Sequence, residues 1–99
     1  MINLEKKYLE IVQSILKKHI PNETVWLFGS RVTSNIKRYS DIDLVILSQT
    51  SIPSAVMSKL ILSFAESDLP YKVDVLDWSM LDQEFRTIIK EQYEVLQIP

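Results

Sequence analysis

Thr24-Val25-Trp26-Leu27-Phe28-Gly29-Ser30-Arg31, followed ten residues past Ser30 by Ser40-Asp41-Ile42-Asp43-Leu44-Val45, decides how this chain is read. The first stretch starts as a run of β-branched and aromatic residues, which predicts a buried strand over 24–28. It ends in the only glycine of the chain. An average chain of this length carries roughly seven. Glycine is therefore kept where backbone must come close to something or φ must be positive. The second stretch predicts a strand over 41–47 that opens on two aspartates and turns apolar at Val45 and Leu47. Asp41 and Asp43 are two residues apart, so on a strand they face the same side. They lie at the start of their strand, whereas Gly29-Ser30 follows the end of the preceding one. The turn and the aspartates meet only if the two strands run antiparallel.

Outward from this centre the chain alternates helical and extended patterns. Leu4, Tyr8, Leu9, Ile11, Val12, Ile15 and Leu16 recur at helical spacing, and Pro21-Asn22 ends that helix. His19 is expected at its end as a cation suited to the helix dipole. Arg31 to Ile36 is expected as a short helix, with Lys37 to Ser40 as polar loop. Pro53 suits the first turn of a further helix, carried to about Asp68 by Val56, Leu60, Ile61, Phe64 and Ala65. Tyr71 to Leu76 predicts a third strand. Ser79 with Asp82 resembles a capping box ahead of a helix whose apolar face is Phe85, Ile88 and Ile89. Tyr93 to Leu96 reads either as a short strand or as an irregular tail. The order α-β-α-β-α-β-α predicts an α+β domain over 1–99, with helices flanking a small mixed sheet. Trp26 and Phe28 are expected in its core.

Composition sets limits on function. With 46% apolar and 24% charged residues and a formal charge of −2, the chain is an ordinary globular sequence without the basic stripe of a nucleic-acid binder. It has no cysteine, which excludes disulfides, thiolate ligands and a cysteine nucleophile, and which suits a reducing cytoplasm. No apolar run approaches the ~20 residues that span a bilayer. The first residues lack the apolar stretch of a signal peptide.

The chemistry lies in the acidic side chains. Two carboxylates side by side near a buried sheet repel each other and need a shared proton, an arginine or a divalent metal. Mg²⁺ takes oxygen ligands, commonly one or two carboxylates together with phosphate oxygens. Gly29 would let backbone N–H groups approach a triphosphate, Ser30 adds a hydroxyl, and Arg31 is placed for phosphate charge, or alternatively to pair with an aspartate. Asp74, central in the third strand, is the candidate third carboxylate of a two-metal site. Asp77, three residues on, faces the other side and reads as a loop or cap residue.

Leu27-Phe28-Gly29-Ser30-Arg31, Ser40-Asp41-Ile42-Asp43-Leu44-Val45 and Val73-Asp74-Val75 together resemble the nucleotidyltransferase superfamily related to DNA polymerase β. Within it, the chain resembles the minimal nucleotidyltransferase antitoxins that accompany HEPN-domain toxins. The resemblance implies a palm-like fold, phosphate binding at Gly29 and Ser30, and two Mg²⁺ ions held by Asp41, Asp43 and Asp74. It further implies ATP as donor and transfer of AMP to a tyrosine of a cognate HEPN toxin. Where many relatives continue with Ala-Arg-Gly, this chain has Val32-Thr33-Ser34. That departure removes a second glycine and arginine, for which Lys37 or Arg38 would have to substitute. It motivates an alternative, an antitoxin that neutralises its partner by binding alone. A third reading is an antibiotic-type transferase acting on a small hydroxyl compound. Size favours a protein partner, since the chain has no room for a separate acceptor-binding domain; Tyr71, Trp78 and Tyr93 are candidates for that contact.

Overall fold

Helical spacing near the N-terminus produces α1 (Lys6–His19), whose Val12 and Leu16 are fully buried. Lys17, Lys18 and His19 fill its last turn, where positive charge meets the carbonyl end of the helix. The His19 ring also shares a 2.9 Å hydrogen bond with Ser63 Oγ, so it ties two helices together. The computed structural model describes residues 2–33 and 40–99. After α1 come β1 (Val25–Phe28), a 3₁₀ turn (Gly29–Val32), β2 (Ile42–Ile46) and α2 (Ser54–Ala65). Then follow β3 (Val73–Asp77), a second 3₁₀ turn (Trp78–Met80), α3 (Gln83–Glu91) and β4 (Glu94–Gln97).

The strands form one mixed sheet in the order β3-β2-β1-β4. β1 runs antiparallel to β2 and to β4, and β2 runs parallel to β3. The antiparallel pairing demanded by the Gly-Ser turn and the aspartates is therefore present. A parallel pair needs a long crossover, which α2 supplies between β2 and β3. The stretch 93–96, open between strand and tail, contributes the edge strand β4. Gln97 Nε2 holds that edge by donating to the carbonyls of Ile20 (2.8 Å) and Glu23 (2.9 Å).

The core lies on one face of the sheet, under α1 and α2. Val25, Leu27, Ile42, Leu44 and Ile46 meet Leu16, Leu60 and Phe64 there. Alternation along β1 sends Trp26 and Phe28 to the opposite face, so these two, expected in the core, instead build a second aromatic layer. Trp26 stacks on Tyr93 (centroids 3.8 Å apart) and meets Trp78 edge-on, while Phe28 meets Phe85 of α3 edge-on at 6.2 Å. The N-cap of α3 also differs from the expected capping box. Asp82 itself caps the helix, accepting from the Phe85 N–H at 2.8 Å, and Ser79 belongs to the preceding turn. Among the described residues, no helix is long and apolar enough to cross a membrane.

Candidate active site

β1 ends at Phe28, whose register partner on β2 is Asp43. The chain then turns sharply through Gly29 at φ +76°, a left-handed conformation that L side chains adopt only with strain. A second constraint acts on the same residue. A Cβ there would run into the carboxylate of Asp43, meeting Oδ2 and lying 3.3 Å from Cγ. The glycine thus makes the turn and leaves the space in which that carboxylate sits. Ser30 follows, half-buried, and its carbonyl accepts from the Thr33 N–H at 3.3 Å and from Thr33 Oγ1 at 3.2 Å. The helix expected over Arg31 to Ile36 appears as a four-residue 3₁₀ turn over Gly29–Val32. So short a turn carries little dipole. Residues 34–39 of the expected helix and loop, with Lys37 and Arg38, lie outside the described residues.

Asp43 and Asp74 are register partners on the parallel strands β2 and β3, so their side chains lie next to each other on the face away from the core. Asp41 immediately precedes β2, held in line by the Ile42 N–H donating to the Lys72 carbonyl at 2.9 Å. Two residues from Asp43, it belongs to the same face. Burial, then the charge of Asp74, then that of Asp41 raise the pKa of Asp43 from 3.8 to about 6, against a smaller opposing pull from Lys72. Lys72 Nζ lies 3.4 Å from Asp74 Oδ1 and is the nearby counter-charge.

Among the described residues, no three acidic or histidine side chains are already gathered to hold a metal ion. The donor chemistry nevertheless suits Mg²⁺. The three carboxylates offer hard oxygens on one face, and burial, with the charges of Asp74 and Asp41, makes Asp43 resist ionisation.

Arg31, expected on phosphate or on an aspartate, is turned inward and only 4% exposed. Its Nε and one terminal nitrogen donate to the Ser40 carbonyl at 3.2 and 2.8 Å, and the other donates to the Asn3 carbonyl at 3.1 Å. Its guanidinium carbon lies 4.0 Å from the centre of the Tyr71 ring. Planar donors of fixed geometry suit such a multiple main-chain anchor. The residue ties the N-terminal segment, the Gly-Ser turn and the entry to β2 together, and through Ser40 it positions Asp41. The N-terminal segment reciprocates, with Asn3 N–H donating to the Arg31 carbonyl at 2.7 Å and Asn3 Nδ2 to the Thr33 carbonyl at 2.6 Å.

Asp77 stands apart from the cluster, on the core side at the far end of β3. It accepts from Ser48 Oγ (2.5 Å), Ile52 N–H (2.8 Å), Ser79 N–H (3.0 Å) and Ser79 Oγ (2.7 Å). Burial opposes ionisation there, but these hydrogen bonds outweigh it and hold the carboxyl below the usual range. The cap-like reading of Asp77 is therefore correct. Of the candidate contact residues, Tyr71 lies under Arg31 and Trp78 is flanked by Trp26 and Arg86, whereas Tyr93 stays 38% exposed.

Residues 10–97 match the Polymerase beta, Nucleotidyltransferase family. Over 96 residues the chain is 43% identical to the probable protein adenylyltransferase MntA of Haemophilus influenzae, covering 97% of this chain and 84% of that protein. It is similar to a crystal structure of a toxin–antitoxin with AMP-PNP, at 24% identity and TM-score 0.76, over 92% of this chain and 73% of that one. It is also similar to the tri-AMPylated Shewanella oneidensis HEPN toxin in complex with MNT antitoxin, at 23% identity and TM-score 0.66, with the same coverage. At such identities the two structures speak for a common fold, the small α+β arrangement described above.

Proposed function

The chain belongs to the polymerase beta nucleotidyltransferase family, and from that premise we propose that it transfers AMP from ATP to a tyrosine of a cognate HEPN-domain toxin and so acts as its antitoxin. One observation carries this reading. The register places Asp43 against the Gly29 turn on one side and against Asp74 on the other. A phosphate tail lying along that turn would have its α-phosphorus within reach of the carboxylates.

In this reading Gly29 and Ser30 offer the backbone and hydroxyl donors for the triphosphate, and Asp41, Asp43 and Asp74 would hold Mg²⁺. When bound, the metal supplies neutralisation of phosphate charge and a lowered pKa for the acceptor hydroxyl. Arg31 acts as a positioning residue, fixing the Ser40 carbonyl and with it the approach of Asp41. Lys72, 3.4 Å from Asp74, offsets part of the carboxylate charge on this face. Attack on the α-phosphorus releases pyrophosphate, with positioning and charge neutralisation as the main contributions. The 43% identity to a probable protein adenylyltransferase supports a protein acceptor, and the AMPylated HEPN toxin bound to a similar chain supports the toxin as that acceptor.

The inward course of Arg31 favours one second reading, neutralisation by binding alone, because it withdraws a cation expected on phosphate. Co-expression with the partner toxin separates the two. The adenylyltransferase reading expects wild type to restore growth and to leave partner of increased mass, and Asp43→Asn to do neither. A folded Asp43→Asn protein that protects cells as well as wild type would refute it.

A further inference from the structure

β2 lies between β1 and β3, and the carboxylate face is divided the same way. On the β1 side the Gly29 turn closes against the Asp43 carboxylate. On the β3 side stand Asp74, in register with Asp43, and Lys72 just ahead of the strand. The main chain of Lys72 is fixed, its carbonyl accepting from the Ile42 N–H at 2.9 Å. A spacing of two from Asp74 sends both side chains to one face, and Nζ lies 3.4 Å from Asp74 Oδ1. Its pull on Asp43 shows the same proximity to the cluster. Arg31 is turned into the interior, whereas the Lys72 side chain is 71% exposed. The ammonium therefore stands at the open border of the carboxylate cluster, across from the phosphate turn.

We infer that Lys72 is a catalytic residue on the acceptor side, whose ammonium holds the attacking oxygen of the partner's tyrosine. The inference rests on the adenylyltransferase reading above and adds to it the direction of attack. Displacement at phosphorus runs in line, with the attacking and leaving oxygens on opposite sides. Pyrophosphate leaving along Gly29-Ser30 departs on the β1 side, so the hydroxyl arrives from the β3 side, where Lys72 stands. An acceptor carried by another molecule enters from solvent, into which this side chain reaches. In the step, a bond forms between the phenolic oxygen and the α-phosphorus, and the bond from that phosphorus to the bridging oxygen of the β-phosphate breaks. The bridging oxygen keeps the electron pair, and the phenolic proton passes to water. Negative charge develops on the phenolic oxygen as its proton leaves, beside carboxylates that oppose it. A Lys ammonium donating to that oxygen offsets the repulsion, and its flexible stem lets it turn from Asp74 to the incoming oxygen.

Steady-state transfer of AMP to the cognate toxin, with ATP and toxin varied in turn, tests this, alongside calorimetric titration of each intact variant with ATP and Mg²⁺. Lys72→Met removes the charge at similar length, and Lys72→Arg keeps it. The position is exposed, so both variants are expected to fold, which thermal melts check. Lys72→Met is expected to lower kcat about 10- to 100-fold, with ATP affinity and the KM for toxin within about twofold of wild type. Lys72→Arg is expected to recover most of that loss. Folded Lys72→Met with wild-type kcat overturns the inference, as does Lys72→Arg as slow as Lys72→Met. ATP affinity that falls in step with kcat overturns it by making Lys72 a phosphate ligand. A raised KM for toxin at unchanged kcat overturns it by making Lys72 a docking contact. Each of these results leaves the adenylyltransferase reading standing, because wild type still transfers AMP. Wild type that transfers none overturns both.

Discussion

Replacing Asp43 by asparagine is expected to stabilise the metal-free protein while ending its chemistry. The folded state raises the pKa of Asp43 from 3.8 to about 6. The native chain therefore binds more protons than the unfolded chain between these values, and stability falls as pH rises through about 6. Below the ordinary value both states are protonated and the penalty vanishes. The full shift corresponds to at most about 3 kcal/mol. Solvent screening at a half-buried carboxylate reduces this to about 1 kcal/mol. For a domain of this size that is a rise in Tm of about 4–8 °C. Thermal melts of wild type and Asp43→Asn, in chelator, at about pH 3 and about pH 8 measure it. The variant should melt higher at the alkaline pH and level with wild type at the acid one. Saturating Mg²⁺ should then stabilise wild type more than the variant. A variant that melts at or below wild type at pH 8, or that shows the same gap at both pH values, refutes the electrostatic reasoning.

Three further perturbations follow from the same geometry. Gly29→Ala forces a side chain into positive φ and against the Asp43 carboxylate, so it should cost about 1–2 kcal/mol and weaken ATP binding; a variant with unchanged Tm and ATP affinity contradicts this. Arg31→Lys loses the forked grip on Ser40 and Asn3 and should lower stability by about 2–3 kcal/mol, more than it weakens tripolyphosphate binding by the folded protein. A phosphate role for Arg31 would produce the reverse pattern in melts and titrations. Asp77→Asn breaks up the acceptor for Ser48, Ile52 and Ser79 and should cost about 2–4 kcal/mol in denaturant titrations near neutrality. Because the Asp77 pKa is lowered, its contribution is present above the ordinary carboxylate value and lost as pH falls through the folded value, so wild type and variant should converge in acid.

Much of this arrangement is legible in the sequence because it rests on local periodicity. A spacing of two puts Asp41 and Asp43 on one side, and the position of Gly29 relative to them dictates an antiparallel pair, which β1 and β2 form. The odd spacing between Asp74 and Asp77 separates a surface carboxylate from a buried acceptor. What period two cannot show is which side of an apolar strand faces the main core. Val25-Trp26-Leu27-Phe28 is apolar on both sides, and only the docking of α3 and Tyr93 reveals the second layer. Arg31 was illegible for a different reason. Its partners are main-chain carbonyls at Asn3 and Ser40, which leave no side-chain signature. The cap of α3 was misplaced because Ser79 and Asp82 are both competent acceptors, and Asp77 claims the Ser79 N–H and hydroxyl first.

Diffraction from crystals grown with a non-hydrolysable ATP analogue and Mn²⁺, a stand-in for Mg²⁺ that gives an anomalous signal, tests the central claim most directly. The expected result is anomalous density among Asp41, Asp43 and Asp74, with phosphate oxygens against the Gly29-Ser30 backbone. Nucleotide bound elsewhere, or a metal site that leaves Asp74 paired with Lys72 and unliganded, would contradict it.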